Sequence, residues 1–230
     1  MAIPRISVLV SGRGSNLDAL LAAQRRERLG GTIATVISSR GAAPALGIAA
    51  AHGIATAVVE SRELGGGEAF DAALGAVIDA SEPDLVVLAG FMRILAAPLV
   101  ARYEGRMLNI HPSLLPSYPG LHTHRRALAD GVRIHGCTVH FVTASLDRGP
   151  IVAQGAVPVL GTDDEASLAA RVLAVEHRLL PAAVRAFCEG RLVIAGCRVR
   201  VEGELVAETS LEVPSPAATP AMAAAGRRSD

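Results

Sequence analysis

The sequence has no lysine, no tryptophan, two tyrosines, four phenylalanines and three cysteines among 230 residues. With aromatic residues at 3% and apolar residues at 50%, a core must be built from Ala, Val, Leu and Ile. Net charge is absent too: 22 basic residues balance 22 acidic ones. That balance excludes the basic excess of a nucleic-acid binder, so any bound phosphate must be held by a local site. The all-arginine basic set extends into the C-terminal residues and reads as base-composition bias, not as a recognition device. Cys137, Cys188 and Cys197 are odd in number and show no metal-ligand spacing, which points to reduced thiols in a cytosolic protein. No apolar run reaches the roughly 18 residues of a membrane span. Met1 to Arg5 leads straight into a strand-like segment, with no signal-peptide layout.

What is present is an alternating rhythm. Ile6 to Val10 reads as a strand, ended by Ser11-Gly12-Arg13-Gly14-Ser15-Asn16 and followed by a helical pattern (Leu17, Leu20, Leu21) that Gly30-Gly31 should stop. Strands follow at Thr32 to Ile37 and Thr56 to Val59, with a helix over Ala45 to Ala51 between them. Phe70, Leu74, Val77 and Ile78 recur at helical spacing. Leu85 to Ala89 is apolar on both faces, as in a central parallel strand. Met107 to Ile110 is another strand, reached through a short helix near Pro98 to Tyr103. This order predicts a doubly wound, mostly parallel α/β sheet. The short link between the strands Cys137 to Val142 and Ile151 to Val159 requires an antiparallel pair. Glu165 to about Glu189 is a long helix that Pro181 kinks or restarts, and Leu192 to Val206 reads as a hairpin. The expected organisation is one domain over 1–206 and a disordered Pro-, Ala- and Ser-rich tail over 207–230.

Three segments carry chemistry. Ser11 to Asn16 follows the first strand, where small residues let backbone N–H groups and a helix N-terminus face an anion. The dinucleotide fingerprint is incomplete: Leu17 stands at its third glycine, and no ribose-binding acid follows Ser38-Ser39-Arg40. A monophosphate cradle fits; so does a plain turn capped by Ser15 or Asn16. In Asn109-Ile110-His111-Pro112, Asn109 and His111 alternate at a strand end and share a face, at the edge where α/β sheets bind ligands. Asp147, in Ser145-Leu146-Asp147-Arg148-Gly149-Pro150, is either a turn residue or a carboxylate beside His111 that orients the ring and favours its imidazolium.

The three residues suit acyl transfer to an amine. Asn109 offers an N–H to the oxyanion of a tetrahedral intermediate, a role worth roughly 3 kcal/mol. His111 moves a proton near neutral pH and Asp147 sets its charge state. The acceptor amine can attack directly, without a Ser or Cys nucleophile.

Ser11-Gly-Arg-Gly-Ser-Asn16, Leu85 to Leu95, Asn109 to Pro116, Tyr118-Pro-Gly-Leu-His-Thr-His124 and Asp147-Arg-Gly-Pro150 together resemble the phosphoribosylglycinamide formyltransferases of purine synthesis, from about residue 5 to 195. The resemblance implies a Rossmann-like formyltransferase fold and catalysis by Asn109, His111 and Asp147. It implies that Gly14, Ser15 and Asn16 hold a ribose 5-phosphate and that Glu176 binds the glycinamide. It also implies that Met92, Arg93, Ile94, Leu95, Asn109, Val142, Thr143 and Ala144 line the site of 10-formyltetrahydrofolate, a co-substrate, with no metal required. Small molecules are then the partners, nucleic acid and membrane are not, and a homodimer stays open.

Two departures fall at the folate site. Gly65-Gly66-Gly67 precede Glu68-Ala69-Phe70-Asp71 where the family has an arginine, leaving that contact absent or supplied by Arg62. Arg148 stands where glycine is usual. Methionyl-tRNA formyltransferase and formyltetrahydrofolate deformylase share the Asn109–His111 pattern, but would be expected to carry a C-terminal or an N-terminal extra domain respectively. A non-catalytic nucleotide-binding module accounts for the glycine turn alone. A metal hydrolase would use His111, His122, His124 and Asp147, although His122 and His124 should diverge at a helix start.

Overall fold

The computed structural model describes residues 2–60 and 67–203. The strands are β1 (Arg5–Val10), β2 (Thr32–Ser38), β3 (Ala55–Val58), β4 (Leu85–Leu88), β5 (Met107–His111), β6 (Ile134–Phe141), β7 (Ile151–Pro158), β8 (Leu192–Ala195) and β9 (Arg198–Val201). The helices are α1 (Ser15–Arg25), α2 (Pro44–Ala51), α3 (Gly67–Ala80), α4 (Ala97–Arg102), α5 (Thr123–Ala129) and α6 (Glu165–Cys188). One nine-stranded sheet results, in the order β3-β2-β1-β4-β5-β6-β7-β9-β8. Strands β1 to β5 pair in parallel, and β6 pairs antiparallel with both β5 and β7.

Alternation along the strands divides the core between two faces. Ile6, Val8 and Val10 of β1 pack with α1, α2 and α6 on one side, around Leu17, Leu20, Ala45, Val172 and Val184. Leu9, Val86 and Leu88 join Phe70, Leu74 and Ile78 of α3 and Leu99 of α4 on the other. Aliphatic side chains dominate both layers, with Phe141 in the first and Phe70, Phe91 and Tyr103 in the second. The longest helix, α6, opens on a reciprocal cap in which Asp164 accepts from Ser167 N–H at 2.8 Å and the Ser167 hydroxyl accepts from Asp164 N–H at 3.1 Å.

Local details differ from the sequence expectations. Helix α1 ends at Arg25, before Gly30-Gly31, where Glu27 turns to φ 56 and closes the helix. Pro181 does not restart α6, which runs unbroken to Cys188 with Pro181 buried inside it. The terminal hairpin extends the main sheet, because β9 lies beside β7. Arg62, Gly65, Gly66 and the expected tail lie outside the described residues. Among those described, no helix is long and apolar enough to cross a membrane.

Candidate active site

The parallel strands β1, β4 and β5 end at one edge of the sheet, and the functional segments gather there. At the end of β1, Gly14 takes φ 86 and begins α1, offering no side-chain acceptor to the first N–H groups. Those groups are available to an anion. Ser15 and Asn16 therefore do not cap the helix. Asn16 turns instead toward α6 and donates from Nδ2 to Glu176 Oε2 at 2.7 Å, while its buried Oδ1 has no partner in the protein. Burial pushes the Glu176 carboxyl above its usual range, against the pull of the Asn16 hydrogen bond. Gly14 is also required by packing: a Cβ there would lie 2.8 Å from Ala45 Cβ and 2.9 Å from Ala45 Cα.

Beside this turn, at the ends of β4 and β5, lies a cavity of about 480 Å³. Met92, Arg93, Ile94 and Leu95 form one wall, with Val142, Thr143 and Ala144 opposite, and Asn109, His111 and Asp147 also line it. Met92 and Ile94 are 59% and 76% exposed, an apolar rim unusual for a free surface. The Arg93 guanidinium sits over the Phe70 ring, 5.7 Å from its centroid, so a cation stands at this wall although Gly67 carries no side chain.

Hydrogen bonds settle which nitrogen faces what. His111 Nε2 lies 2.9 Å from the Tyr118 carbonyl oxygen, which only accepts, so Nε2 carries the proton. Nδ1 is then turned to Asp147 Oδ2, 3.5 Å away, a gap longer than a direct hydrogen bond. Asp147 Oδ2 also accepts from Gly120 N–H at 2.8 Å. The backbone of Asp147 is left-handed, φ 52, a conformation Asp tolerates better than most residues. Two residues on, Gly149 leaves room for the Phe141 carbonyl, which any Cβ would strike.

One contributor escaped the sequence reading. His140 faces Asn109 across the β5–β6 ladder. Its Nδ1 donates to the Phe141 carbonyl at 2.8 Å, which leaves Nε2 to accept from Asn109 Nδ2 at 3.1 Å. Burial holds its pKa below the ordinary value, in keeping with a neutral ring that accepts. A signal was available: Cys137, Val139 and Phe141 point into the core, so the alternate residues Thr138 and His140 must face the other way. Thr138 donates to the Ser113 carbonyl at 2.6 Å and accepts from Leu115 N–H at 3.0 Å, securing the loop after His111.

His122 and His124 both line the cavity, His122 as the left-handed N-cap of α5. His124 meets the ring of His135 edge-on at 5.3 Å, and His135 meets Tyr118 at 5.8 Å. Burial pushes His135 down to about 4. Among the described residues, no three His, Cys, Asp or Glu side chains are arranged to hold a metal ion.

The formyl transferase family model matches residues 4–184. The phosphoribosylglycinamide formyltransferase of Escherichia coli K12 is 49% identical over 187 residues, 81% of this chain and 88% of that one. The crystal structure of glycinamide ribonucleotide transformylase 1 from Symbiobacterium toebii superposes with a TM-score of 0.84 at 49% identity, covering 86% of this chain and 94% of that one. A formyltetrahydrofolate deformylase from Pseudomonas syringae pv. tomato shares the fold at 29% identity and a TM-score of 0.81, with 87% of this chain and 66% of that one covered. On this similarity over most of its length, the chain belongs to the formyl transferase family and, within it, to the phosphoribosylglycinamide formyltransferases.

Proposed function

We propose that the protein transfers the formyl group of 10-formyltetrahydrofolate to the amine of glycinamide ribonucleotide, giving the N-formyl product and tetrahydrofolate in purine synthesis. The observation that carries this reading is the convergence of Asn109, His111 and Asp147 on a cavity walled by Met92–Leu95 and Val142–Ala144. An anion-ready turn at Gly14–Asn16 lies beside it. The folate occupies the cavity, where the apolar rim covers its ring system. The ribose phosphate sits on the N–H groups of the turn, and Glu176 receives the glycinamide.

The neutral amine attacks the formyl carbon directly. One Asn109 Nδ2–H is held by His140, and the other is free to donate to the oxyanion as it forms. His111 Nδ1 and Asp147 take up and return the proton that passes from the attacking amine to the departing folate nitrogen. His111 is fixed for this role by Tyr118 and Asp147 by Gly120.

An assay with 10-formyltetrahydrofolate and glycinamide ribonucleotide tests the reading, with water as the control acceptor. Tetrahydrofolate formation that depends on the ribonucleotide is expected. Equal release with water alone would instead identify a deformylase.

A further inference from the structure

We infer that Ser11 is a positioning residue that couples the two substrate subsites, an inference that rests on the function proposed above. Ser11 follows β1 and opens the glycine turn, and it is 3% exposed. Its Oγ accepts the N–H of Met92 at 2.9 Å and lies 2.7 Å from the Ser39 hydroxyl. Met92 begins the apolar wall of the cavity, 81 residues along the chain. One hydroxyl thus joins the first residue of the anion-binding turn to the first residue of the folate-facing wall.

The wall depends on such ties. Residues 92–95 lie in no helix or strand, so acceptors from elsewhere set its position. The far end is held by Asp71 of α3, whose Oδ2 accepts from Ala96 N–H at 2.7 Å. Asp71 has no contact with the glycine turn among the described hydrogen bonds. Ser11 therefore supplies the link between subsites, and Asp71 is a separate clamp on the same wall.

The turn is packed against α2, with Gly14 against Ala45 and the Gly12 carbonyl accepting from Ala45 N–H at 3.3 Å. An anion seated on the N–H groups of residues 14–16 orders this stretch, and through Ser11 Oγ it orders Met92. The second ligand then meets a wall already in place, which is positive coupling without a large motion.

Calorimetric titration of the full chain with tetrahydrofolate, which has no formyl group to transfer, tests the link. Titrations run with and without saturating glycinamide ribonucleotide. In the wild type the ribonucleotide should tighten tetrahydrofolate at least about fivefold. Ser11→Ala, which leaves Met92 N–H and the Ser39 hydroxyl without that partner, should bring the factor close to one while each ligand still binds. Asp71→Ala should weaken tetrahydrofolate equally in both titrations and keep the wild-type factor. If Ser11→Ala does not fold, Ser11→Cys takes its place, since it keeps the shape and replaces a strong acceptor by a weak one; the same drop is expected. Ligands that bind the wild type without mutual effect would overturn the inference. So would a Ser11 variant that keeps the factor, or an Asp71 variant that loses it. A wild type that binds neither ligand would overturn the proposed function, and this inference with it.

Discussion

His111 Nδ1 stands 3.5 Å from Asp147 Oδ2, with both side chains less than a tenth exposed. They come from different parts of the chain, His111 from the end of β5 and Asp147 from the link between β6 and β7. A carboxylate this close to an imidazole in a buried place fixes which way the ring faces. Asp147→Asn removes the charge and little else, because Asn tolerates the left-handed backbone and can still accept from Gly120 N–H. We expect kcat to fall about 10²- to 10⁴-fold with an unchanged thermal melt. Near-normal turnover would remove Asp147 from the proton path.

His140 fixes the Asn109 amide through its bare Nε2. His140→Ala leaves that amide free to rotate and one of its N–H groups without a partner. Turnover should drop about tenfold, since a misdirected oxyanion donor forfeits part of the roughly 3 kcal/mol it supplies. KM for either substrate should change far less than kcat. A rise confined to KM would make His140 a binding residue instead.

Gly14 carries two demands at once, a positive φ and close approach to Ala45. Gly14→Val should therefore destabilise the fold by about 1–3 kcal/mol, read by denaturant unfolding. It should also weaken glycinamide ribonucleotide. Ser15→Ala separates the two effects. It removes a hydroxyl donor at the turn, so ribonucleotide binding should weaken while unfolding stays close to wild type.

His135 is 1% exposed, and burial pushes its pKa from 6.5 down to about 4. Between those values the unfolded chain binds a proton that the folded protein excludes. The stability this ring contributes is complete above about pH 6.5 and is lost as pH falls toward 4. The slope reaches about 1.4 kcal/mol per pH unit. Urea unfolding at pH 7 and pH 5 should show a smaller drop for His135→Gln than for the wild type. Equal drops would mean that other groups carry the acid sensitivity.

Cys137 and Cys188 are held by burial at about 12 and 11, whereas Cys197 is exposed. Thiol titration of the native protein should show one fast-reacting cysteine, with the other two reacting on unfolding. Cys197→Ser should remove the fast phase. Its persistence would mean that a buried thiol is reached through local opening.

Much of this protein was legible in sequence because its signals are local. Strand periodicity, the glycine turn after β1 and the Asn109–His111 alternation each depend on residues a few positions apart, and the strand bounds fell within three residues, the largest miss being β6, which begins at Ile134 and not at Cys137. Helix ends were less legible: α1 stops before Gly30-Gly31 because Glu27 adopts a left-handed backbone, and Pro181 lies buried inside a helix that continues past it to Cys188. What tertiary structure decided is pairing. Asn109 meets His140 only because β6 runs antiparallel to β5 in one register, and a one-residue slip would turn His140 to the opposite face. Asn16 meets Glu176, and Ser11 meets Met92, across 160 and 81 residues. The chemistry at Asn16 and Asn109 was readable from residue type, whereas His140 went unnoticed. The partner was not readable, since distance along the chain says nothing about which side chains a sheet brings to one edge.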